Sequence, residues 1–361
     1  MSWPSWLPLR ETLRPMSPYG APQVPAVAAL NTNENPYSPS PALQKAITDA
    51  VAKVAVDLNR YPDRDATILR TKLATYINEG NGTSFTLDNI WAANGSNEII
   101  QSIFLAFAQG AVLGFTPSYS MHPLIAKTTG AQWIDGKRNA DFSLNASDAV
   151  SEIVKNKPSL TFITTPNNPT GGAVTLAEIQ KLADAAKEVG GLLVVDEAYA
   201  EFSQEVSAVT LIANNPHLIV IRTMSKAFAF AGARLGYLVS DVAVKDAMMI
   251  VRLPYHLSAL TQAAAQVAID HRAELLGGVS TLIKARGEVV QALHDMGLTT
   301  ITSSANFVLF TGFKHDAPQL WAALLEKGVL IRDVGLSGYL RVTIGNEAEN
   351  KLFVSALKEL I

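Results

Sequence analysis

The chain has 361 residues, of which 48% are hydrophobic and 17% are charged, and this composition is sufficient for one large apolar core and a second, smaller one. Its 29 lysine and arginine residues and 32 aspartate and glutamate residues give a formal net charge of −3 at pH 7, so the basic excess typical of nucleic-acid-binding proteins is missing. The absence of cysteine excludes disulfides and thiolate metal sites.

The first 40 residues are rich in proline, which removes amide donors and fixes φ, so they favour an extended arm over a packed helix. This segment has no charged region followed by an apolar stretch and a cleavage site, and we expect no signal peptide. Nowhere do 18 apolar residues follow one another, which argues against a membrane-spanning helix. The sequence therefore predicts a soluble, cytoplasmic protein without a membrane partner.

Helical patterns come next along the chain, from residue 41 and again over residues 65–77. In the second helix the apolar residues expected on one side are Ile68, Leu69, Leu73, Tyr76 and Ile77. The middle of the chain then alternates between helical stretches and short apolar runs, and the runs predict buried strands. The runs cover residues 111–115, 160–164, 192–195, 218–221 and 235–239.

One of the intervening helices, at 175–189, begins with Thr175 followed by Glu178, which is the spacing of a capping box. Alternating strands and helices predict an α/β fold whose mostly parallel sheet is covered on both faces. The pattern changes near the end of the chain, where a helical run at 259–296 precedes two strands at 306–311 and 340–344. These elements predict a second, smaller α+β unit.

Polar residues follow three of the predicted strands in succession. The segments are Thr165-Pro166-Asn167-Asn168-Pro169-Thr170-Gly171, Asp196-Glu197-Ala198-Tyr199 and Arg222-Thr223-Met224-Ser225-Lys226. In open α/β sheets, ligands bind at the carboxyl ends of the strands, so we expect these segments to meet at one crevice. A pyridoxal ring requires an amine for an imine, an acid for its pyridine nitrogen and donors for its phenolic oxygen. Lys226, Asp196, and Asn168 with Tyr199 fit these roles.

A phosphate group requires backbone amides at a helix start, hydroxyl groups and a cation. The segment Asn94-Gly95-Ser96-Asn97-Glu98 has the composition of such a helix start and precedes an apolar helical stretch. Thr223 and Ser225 would add hydroxyls, Arg234 a guanidinium, and Tyr119 an aromatic ring that stacks on the pyridine. Each motif alone is also typical of a turn or a helix cap, but their order at successive strand ends favours a site.

Taken together, the series Asn-Gly-Ser-Asn-Glu, Pro-Asn-Asn-Pro-Thr-Gly, Asp-Glu-Ala-Tyr, Ser-Lys-Ala-Phe and Arg-Leu-Gly resembles that of the fold-type I pyridoxal-phosphate-dependent aminotransferases. Other segments resemble the histidinol-phosphate aminotransferases, of the class II family, within this superfamily; they are 30–36, 60–62, 222–228, 330–333 and 336–345. The resemblance implies a large, mostly parallel α/β/α sheet domain and a smaller α+β domain. We assign residues 1–45 to an N-terminal arm that begins the small domain. Residues 46–262 would form the large pyridoxal-phosphate-binding domain, and residues 263–361 the rest of the small domain.

The resemblance implies that Lys226 carries pyridoxal 5′-phosphate as a Schiff base, with Asp196 on the ring nitrogen and Tyr199 on the phenolic oxygen as further catalytic residues. The cofactor-binding residues that it implies are Gly95, Ser96, Asn97, Tyr119, Asn168, Asp196, Tyr199, Thr223, Ser225, Lys226, Arg234 and Tyr61. Tyr61 is the tyrosine of Arg-Tyr-Pro, which in this family reaches the active site of the partner subunit. A homodimer is thereby implied.

The implied substrate site contains two arginines, Arg332 and Arg341. Histidinol phosphate has a phosphate where glutamate has a carboxylate, and a guanidinium group pairs with either anion through two hydrogen bonds. Tyr19, Asn35 and Tyr255 complete the implied substrate-binding set. From periodicity alone, each arginine is as well described by a solvent-facing salt bridge, and Tyr255 by ordinary packing.

The reaction that the resemblance implies is transamination of imidazole-acetol phosphate with L-glutamate, which gives L-histidinol phosphate and 2-oxoglutarate in histidine biosynthesis. Ping-pong kinetics through the Lys226 Schiff base are expected. An aromatic amino-acid aminotransferase and a lyase that decarboxylates threonine phosphate remain alternatives. A non-catalytic cofactor-binding regulator is disfavoured, because the proline-rich arm is too short for a helix-turn-helix. No metal-ligand spacing and no glycine-rich nucleotide-binding motif is found, so neither kind of site is predicted.

Overall fold

The computed structural model describes residues 3–361. Their strands lie in sheets of two, three and seven strands, and the seven-stranded sheet is the central one. The strands are β1 (Ala28–Ala29), β2 (Ile90–Ala93), β3 (Ala111–Thr116), β4 (Gln132–Lys137), β5 (Leu160–Thr164), β6 (Leu192–Asp196), β7 (Leu218–Thr223), β8 (Gly236–Val239), β9 (Thr299–Thr300), β10 (Phe307–Thr311), β11 (Val329–Leu330) and β12 (Leu340–Thr343). The helices are α1 (Pro41–Ala55), α2 (Thr67–Asn81), α3 (Ser96–Phe107), α4 (Met121–Thr129), α5 (Ala146–Asn156), α6 (Leu176–Glu188), α7 (Val242–Val251), α8 (Ala259–Asp270), α9 (Arg272–Asp295), α10 (Ala317–Glu326) and α11 (Glu347–Leu360).

The central sheet has the strand order β2-β8-β7-β6-β5-β3-β4, and only β8 runs antiparallel to its neighbours. All five apolar runs of the sequence form strands of this sheet. The α/β class with a mostly parallel sheet is therefore confirmed. The strands β2 and β4 were not predicted, because β2 has only four residues and β4 is an edge strand with a mixed polar sequence.

Helices cover the sheet on both faces. Along β6, the side chains of Leu193 and Val195 pack in one apolar cluster, whereas that of Val194 packs in the cluster on the opposite face. Along β7, Val220 and Ile219 divide between the two clusters in the same way. Because successive side chains of a strand point to opposite faces, a strand that is buried on both faces needs a continuous apolar run.

Two helix predictions need correction. Ile68 is 61% exposed, because it lies beside the buried stripe that Leu69, Leu73 and Ile77 form on α2. The predicted run at 259–296 is two helices, since His271 has non-helical dihedral angles and ends α8 just before α9 begins. The capping box of α6 is confirmed: the Thr175 hydroxyl accepts from the amide of Glu178, whose carboxylate accepts from the Thr175 amide.

A second core lies outside the central sheet, around the three-stranded antiparallel sheet β12-β10-β9 and the helices α9, α10 and α11. The arm contributes to it, because β1 pairs in parallel with β11 and Ala28 and Leu30 are buried there. Ala265 and Ala268 of α8 pack instead in the core beneath the central sheet. The proposed domain limits after residues 45 and 262 stay predictions. No helix within residues 3–361 is both long and apolar enough to cross a membrane.

Candidate active site

A cavity of about 580 Å³ opens at the carboxyl ends of β5, β6 and β7, between the central sheet and the smaller core. The loops after these strands deliver the residues that the sequence singled out, as expected for parallel strands. The predicted site residues that line the cavity are Tyr19, Ser96, Asn97, Tyr119, Asn168, Asp196, Tyr199, Thr223, Ser225, Lys226, Arg234, Arg332 and Arg341.

Lys226 projects into this cavity from the loop after β7. Its Nζ atom donates a hydrogen bond to the carbonyl oxygen of Thr32, at 2.9 Å. Burial lowers the pKa of the Lys226 amine to about 8, and the positive charge of Arg341 adds to this effect. At pH 7 roughly a tenth of the amine is therefore free of its proton, far more than for an ordinary lysine, and this is the form that reacts with a carbonyl carbon.

Asp196 ends β6 and is only 2% exposed. One of its carboxylate oxygens accepts from the backbone amide of Ala198 at 3.2 Å, and the other lies 3.2 Å from Nε2 of His122. His122 is itself buried and contacts the ring of Tyr119 edge to face, with ring centroids 5.5 Å apart. The carboxylate is thereby fixed in one orientation at the floor of the cavity.

Tyr199 and Asn168 lie side by side above the end of the sheet. The phenol oxygen of Tyr199 accepts from Nδ2 of Asn33 at 2.8 Å and from Nδ2 of Asn168 at 3.4 Å. Burial raises the pKa of Tyr199 to about 12, so its hydroxyl keeps its proton at neutral pH. The amide oxygen of Asn168 accepts from Nη1 of Arg341 at 2.5 Å, which orients the amide nitrogen towards Tyr199.

The N-terminus of α3 forms one wall of the cavity. Its N-cap is Gly95, which has a φ of 85° and no side chain to cap the first amides of the helix. A Cβ atom at Gly95 would lie 2.7 Å from Nη2 of Arg234, so a larger residue would displace this guanidinium, and the φ of 85° also favours glycine. The hydroxyl of Thr223 donates to that of Ser225 at 2.9 Å. A helix N-terminus, a guanidinium and two hydroxyls together form a suitable site for a phosphate group.

Arg341 and Arg332 come from neighbouring segments of the smaller unit, whose backbones exchange two hydrogen bonds of 2.9 Å between these residues. Arg341 is 6% exposed, packs over the ring of Phe307 and donates to the carbonyl oxygen of Asn31 at 2.8 Å. Burial lowers its pKa to about 10, which still leaves it charged at neutral pH. Nε of Arg341 and Nη1 of Arg332 are buried and have no hydrogen-bond partner among residues 3–361. These free donors favour an anionic ligand.

Three predicted site residues lie away from the cavity. Tyr61 is 79% exposed and stacks on Tyr255, with ring centroids 4.4 Å apart. Asn35 donates to the carbonyl oxygen of Ala227 at 3.2 Å, behind the lysine loop. Gly95 does not line the cavity itself, but the next residue, Ser96, does. The functional roles of Tyr61, Tyr255 and Asn35 stay predictions, and the role of Tyr61 concerns a partner subunit.

Behind the strand ends, a buried ion-pair network links β6 to β7. Nε of Arg222 lies 3.1 Å from a carboxylate oxygen of Glu197, and Nη1 donates to Glu201 at 3.0 Å. The other oxygen of Glu197 accepts from the amide of Ala208 at 2.7 Å. Because Glu197 follows Asp196 and Arg222 precedes Thr223, the network fixes the relative position of the two loops that enter the cavity.

Several residues that line the cavity or hold its lining residues in place were not predicted from the sequence. His122 was not predicted, because a single histidine in an apolar helical stretch is typical of a packed core residue. Asn33 was not predicted either, although this residue lies in the segment at 30–36 that carried the family resemblance. The lining residues not predicted to bind include Asn31, Thr32, Asn33, Glu34, Ser118, Ser120, Thr164, Ala198, Ala231, Gly232, Asp333 and Val334.

The model of the family named aminotransferase class I and II matches residues 25–357. The chain belongs to this family. It is similar to the histidinol-phosphate aminotransferase of Mycobacterium sp. strain JLS, with 51% identity over 358 residues that cover 98% of this chain and 94% of the relative. With the enzyme of the same description from Mycolicibacterium smegmatis, it shares 52% identity over 357 residues, which cover 98% of this chain and 93% of the relative.

Among solved structures, the fold resembles that of histidinol-phosphate aminotransferase from Sinorhizobium meliloti in complex with pyridoxal 5′-phosphate. The TM-score is 0.81 at 24% identity, and the match covers 93% of this chain and 91% of the other. At this identity the likeness supports the fold alone. The predicted membership of the fold-type I aminotransferases is therefore confirmed.

Proposed function

We propose that this chain is a pyridoxal-phosphate-dependent histidinol-phosphate aminotransferase of histidine biosynthesis. It would transfer an amino group from L-glutamate to imidazole-acetol phosphate, which gives 2-oxoglutarate and L-histidinol phosphate. Relatives with this name match 98% of the chain at 51–52% identity. The observation that carries the proposal is a partly buried lysine amine in a cavity that also contains two arginines with unpaired donors.

The residues of the cavity fit the cofactor. When bound, pyridoxal phosphate supplies an aldehyde and an electron-withdrawing ring that stabilises negative charge at the substrate Cα. The Lys226 amine faces the cavity, and the backbone of Gly95 leaves room for Arg234 beside the α3 N-terminus. We therefore propose that Ser96, Asn97, Thr223, Ser225 and Arg234 hold the phosphate.

Five side chains would act on the ring and on the substrate proton. Asp196, held by His122, would keep the ring nitrogen protonated. Tyr199 and Asn168 would donate to the phenolic oxygen, and Tyr119 would pack on the ring. Since the pKa of Lys226 is lowered to about 8, its amine would accept the proton from the substrate Cα and donate it to C4′ of the cofactor.

We further propose that Arg341 and Arg332 bind the anionic groups of both substrates. A carboxylate or a phosphate would satisfy the unpaired donors of these two guanidinium groups. Tyr19 of the arm lines the same cavity and would contact the substrate phosphate. Because one cavity accepts the two substrates in turn, ping-pong kinetics are expected.

We also propose that the protein acts in the cytoplasm as a homodimer. Apolar side chains are exposed around Tyr61 and Tyr255, and burial of such side chains is the usual contribution of a dimer interface. In that dimer Tyr61 would reach the active site of the partner subunit, as the family resemblance implies. Tyr255 and Asn35 would then complete the substrate site.

The test is turnover by the purified protein with added pyridoxal phosphate. We expect 2-oxoglutarate to serve as acceptor for histidinol phosphate, with parallel lines in double-reciprocal plots. Lys226→Ala should abolish turnover, whereas Lys181→Ala, an exposed lysine on α6, should leave it unchanged. Faster turnover of phenylalanine than of histidinol phosphate would favour the aromatic aminotransferase instead. Release of carbon dioxide from threonine phosphate would indicate the lyase.

A further inference from the structure

Asn33 occupies an unusual position in the arm. It is 1% exposed and has a φ of 58°, in the left-handed region that few residues other than glycine adopt. All of its polar groups are hydrogen-bonded, and the partners come from three separate parts of the chain. Its backbone oxygen accepts from Asn306 at 3.1 Å, its backbone amide donates to Thr343 at 3.0 Å, and its side chain reaches Tyr199. Strained and fully bonded residues of this kind are often found at functional sites.

The orientation of the Asn33 amide follows from its partner on β12. The hydroxyl oxygen of Thr343 accepts from the backbone N–H of Asn33, and its own proton then goes to Oδ1 of Asn33, at 3.0 Å. With Oδ1 committed to Thr343, Nδ2 faces Tyr199 and donates to the phenol oxygen at 2.8 Å. The amide therefore acts on Tyr199 as a donor only.

The amide donors to Tyr199 determine where its hydroxyl proton points. The phenol oxygen accepts from Asn33 and, at a longer distance, from Asn168, and the hydroxyl donates to no group within residues 3–361. A hydroxyl has one proton and two acceptor positions, so two amide donors leave the proton directed elsewhere, into the cavity. The raised pKa of Tyr199 means that this proton is present at neutral pH.

We propose that Asn33 is a positioning residue that keeps the Tyr199 hydroxyl proton directed at the phenolic oxygen of the cofactor. The proposal rests on the proposed function, because it requires pyridoxal phosphate in the cavity. A donor to that oxygen stabilises its ionised form. Loss of the donor should therefore raise the pH midpoint of the visible absorbance change of the cofactor-bound protein.

The first experiment compares Asn33→Asp with the wild type by pH titration of visible absorbance. Aspartate tolerates the left-handed backbone and still accepts from Thr343, but it offers the phenol an acceptor in place of a donor. The Tyr199 proton would then turn away from the cofactor, and we expect the midpoint to rise by roughly 1 pH unit. Thr343→Val is a neutral second variant that frees the Asn33 amide to turn, and a smaller rise is expected.

Both substitutions are repeated in a Tyr199→Phe background, because a new carboxylate would also shift the midpoint by its charge. In the Tyr199→Phe background we expect most of each rise in the pH midpoint to disappear, since the hydroxyl proton that Asn33 directs is gone. Other charged or titratable groups also influence the pKa values in the site. They are Arg341, Asp196 and Tyr19 for Tyr199, and Arg341, Glu34 and Arg234 for Lys226. All of them are retained in every variant, so their effects on the midpoint cancel in the comparison.

Equal rises in the two backgrounds, or no rise in either, would overturn the proposal for Asn33. The result is independent of turnover, since only the absorbance of the cofactor-bound protein is read. A wild-type protein that takes up no pyridoxal phosphate would instead overturn the proposed function. The two failures are thus distinct.

Discussion

The lowered pKa of Lys226 predicts a pH-dependent stability that the cofactor-free protein should show. In the unfolded chain a lysine has a pKa near 10.5, whereas burial and Arg341 lower the value in the folded protein to about 8. Between these two values the unfolded state binds more protons, so the free energy of unfolding must rise with pH across this window. Below about pH 8 the amine is charged in both states, and its destabilising effect is complete.

The difference between the two pKa values corresponds to about 3 kcal/mol, at about 1.36 kcal/mol for each pH unit. Lys226 is only partly buried, and water reaches it through the cavity, which reduces this cost. Between pH 7.5 and 9.5 we therefore expect this group to contribute a rise of about 1 kcal/mol. Urea unfolding of the cofactor-free protein, followed by tryptophan fluorescence, measures the change.

Lys226→Met is the reference, because it retains the length of the side chain and removes the titrating amine. Other groups titrate in the same range, but they are common to both proteins, and the difference between the two isolates Lys226. The gap in stability should favour the methionine variant at pH 7.5 and narrow at pH 9.5. A gap that stayed constant, or widened with pH, would refute the assignment of a desolvated amine.

Three further predictions concern residues around the cavity and in the fold that supports it. Thr175→Ala removes the capping hydroxyl of α6 and should lower the free energy of unfolding by about 1 kcal/mol, as measured by urea unfolding. Gly95→Ala places a Cβ against the guanidinium of Arg234 and should weaken pyridoxal-phosphate binding by roughly tenfold in a fluorescence titration; unchanged affinity would contradict the proposed phosphate site. Arg222→Met leaves Glu197 buried without its cation and should lower the free energy of unfolding by about 3–5 kcal/mol, a loss that calorimetry would detect.

The strands of the central sheet were predictable because burial on both faces leaves little freedom in the sequence. The runs at 160–164 and 218–221 lie in the middle of the sheet, where every position is buried and apolar residues are required almost throughout. The edge strand β4 has one neighbour and includes exposed positions, so its sequence carries no such signal. The break at His271 was missed because its neighbours continue the helical pattern on either side.

The cavity residues that follow β5, β6 and β7 were predictable for a topological reason. Parallel strands place their carboxyl ends along one edge of the sheet, so polar residues such as Asn168, Asp196 and Lys226 meet there regardless of how the rest of the chain packs. Arg341 does not follow one of these strands and enters the cavity from the smaller unit. Its place in the site was predicted from the family resemblance alone, because a solvent-exposed salt bridge would match its periodicity equally well.

The contacts of Asn33 required the folded chain, because no local pattern encodes them. Its side chain meets a tyrosine 166 positions along the sequence and a threonine 310 positions along it. What the sequence does contain is an asparagine where the backbone needs a positive φ, and asparagine is one of the few residues other than glycine suited to that conformation. Glycine would meet the backbone requirement equally well but would supply no amide to Tyr199. The proposed role of Asn33 therefore depends on its side chain and not on the turn alone.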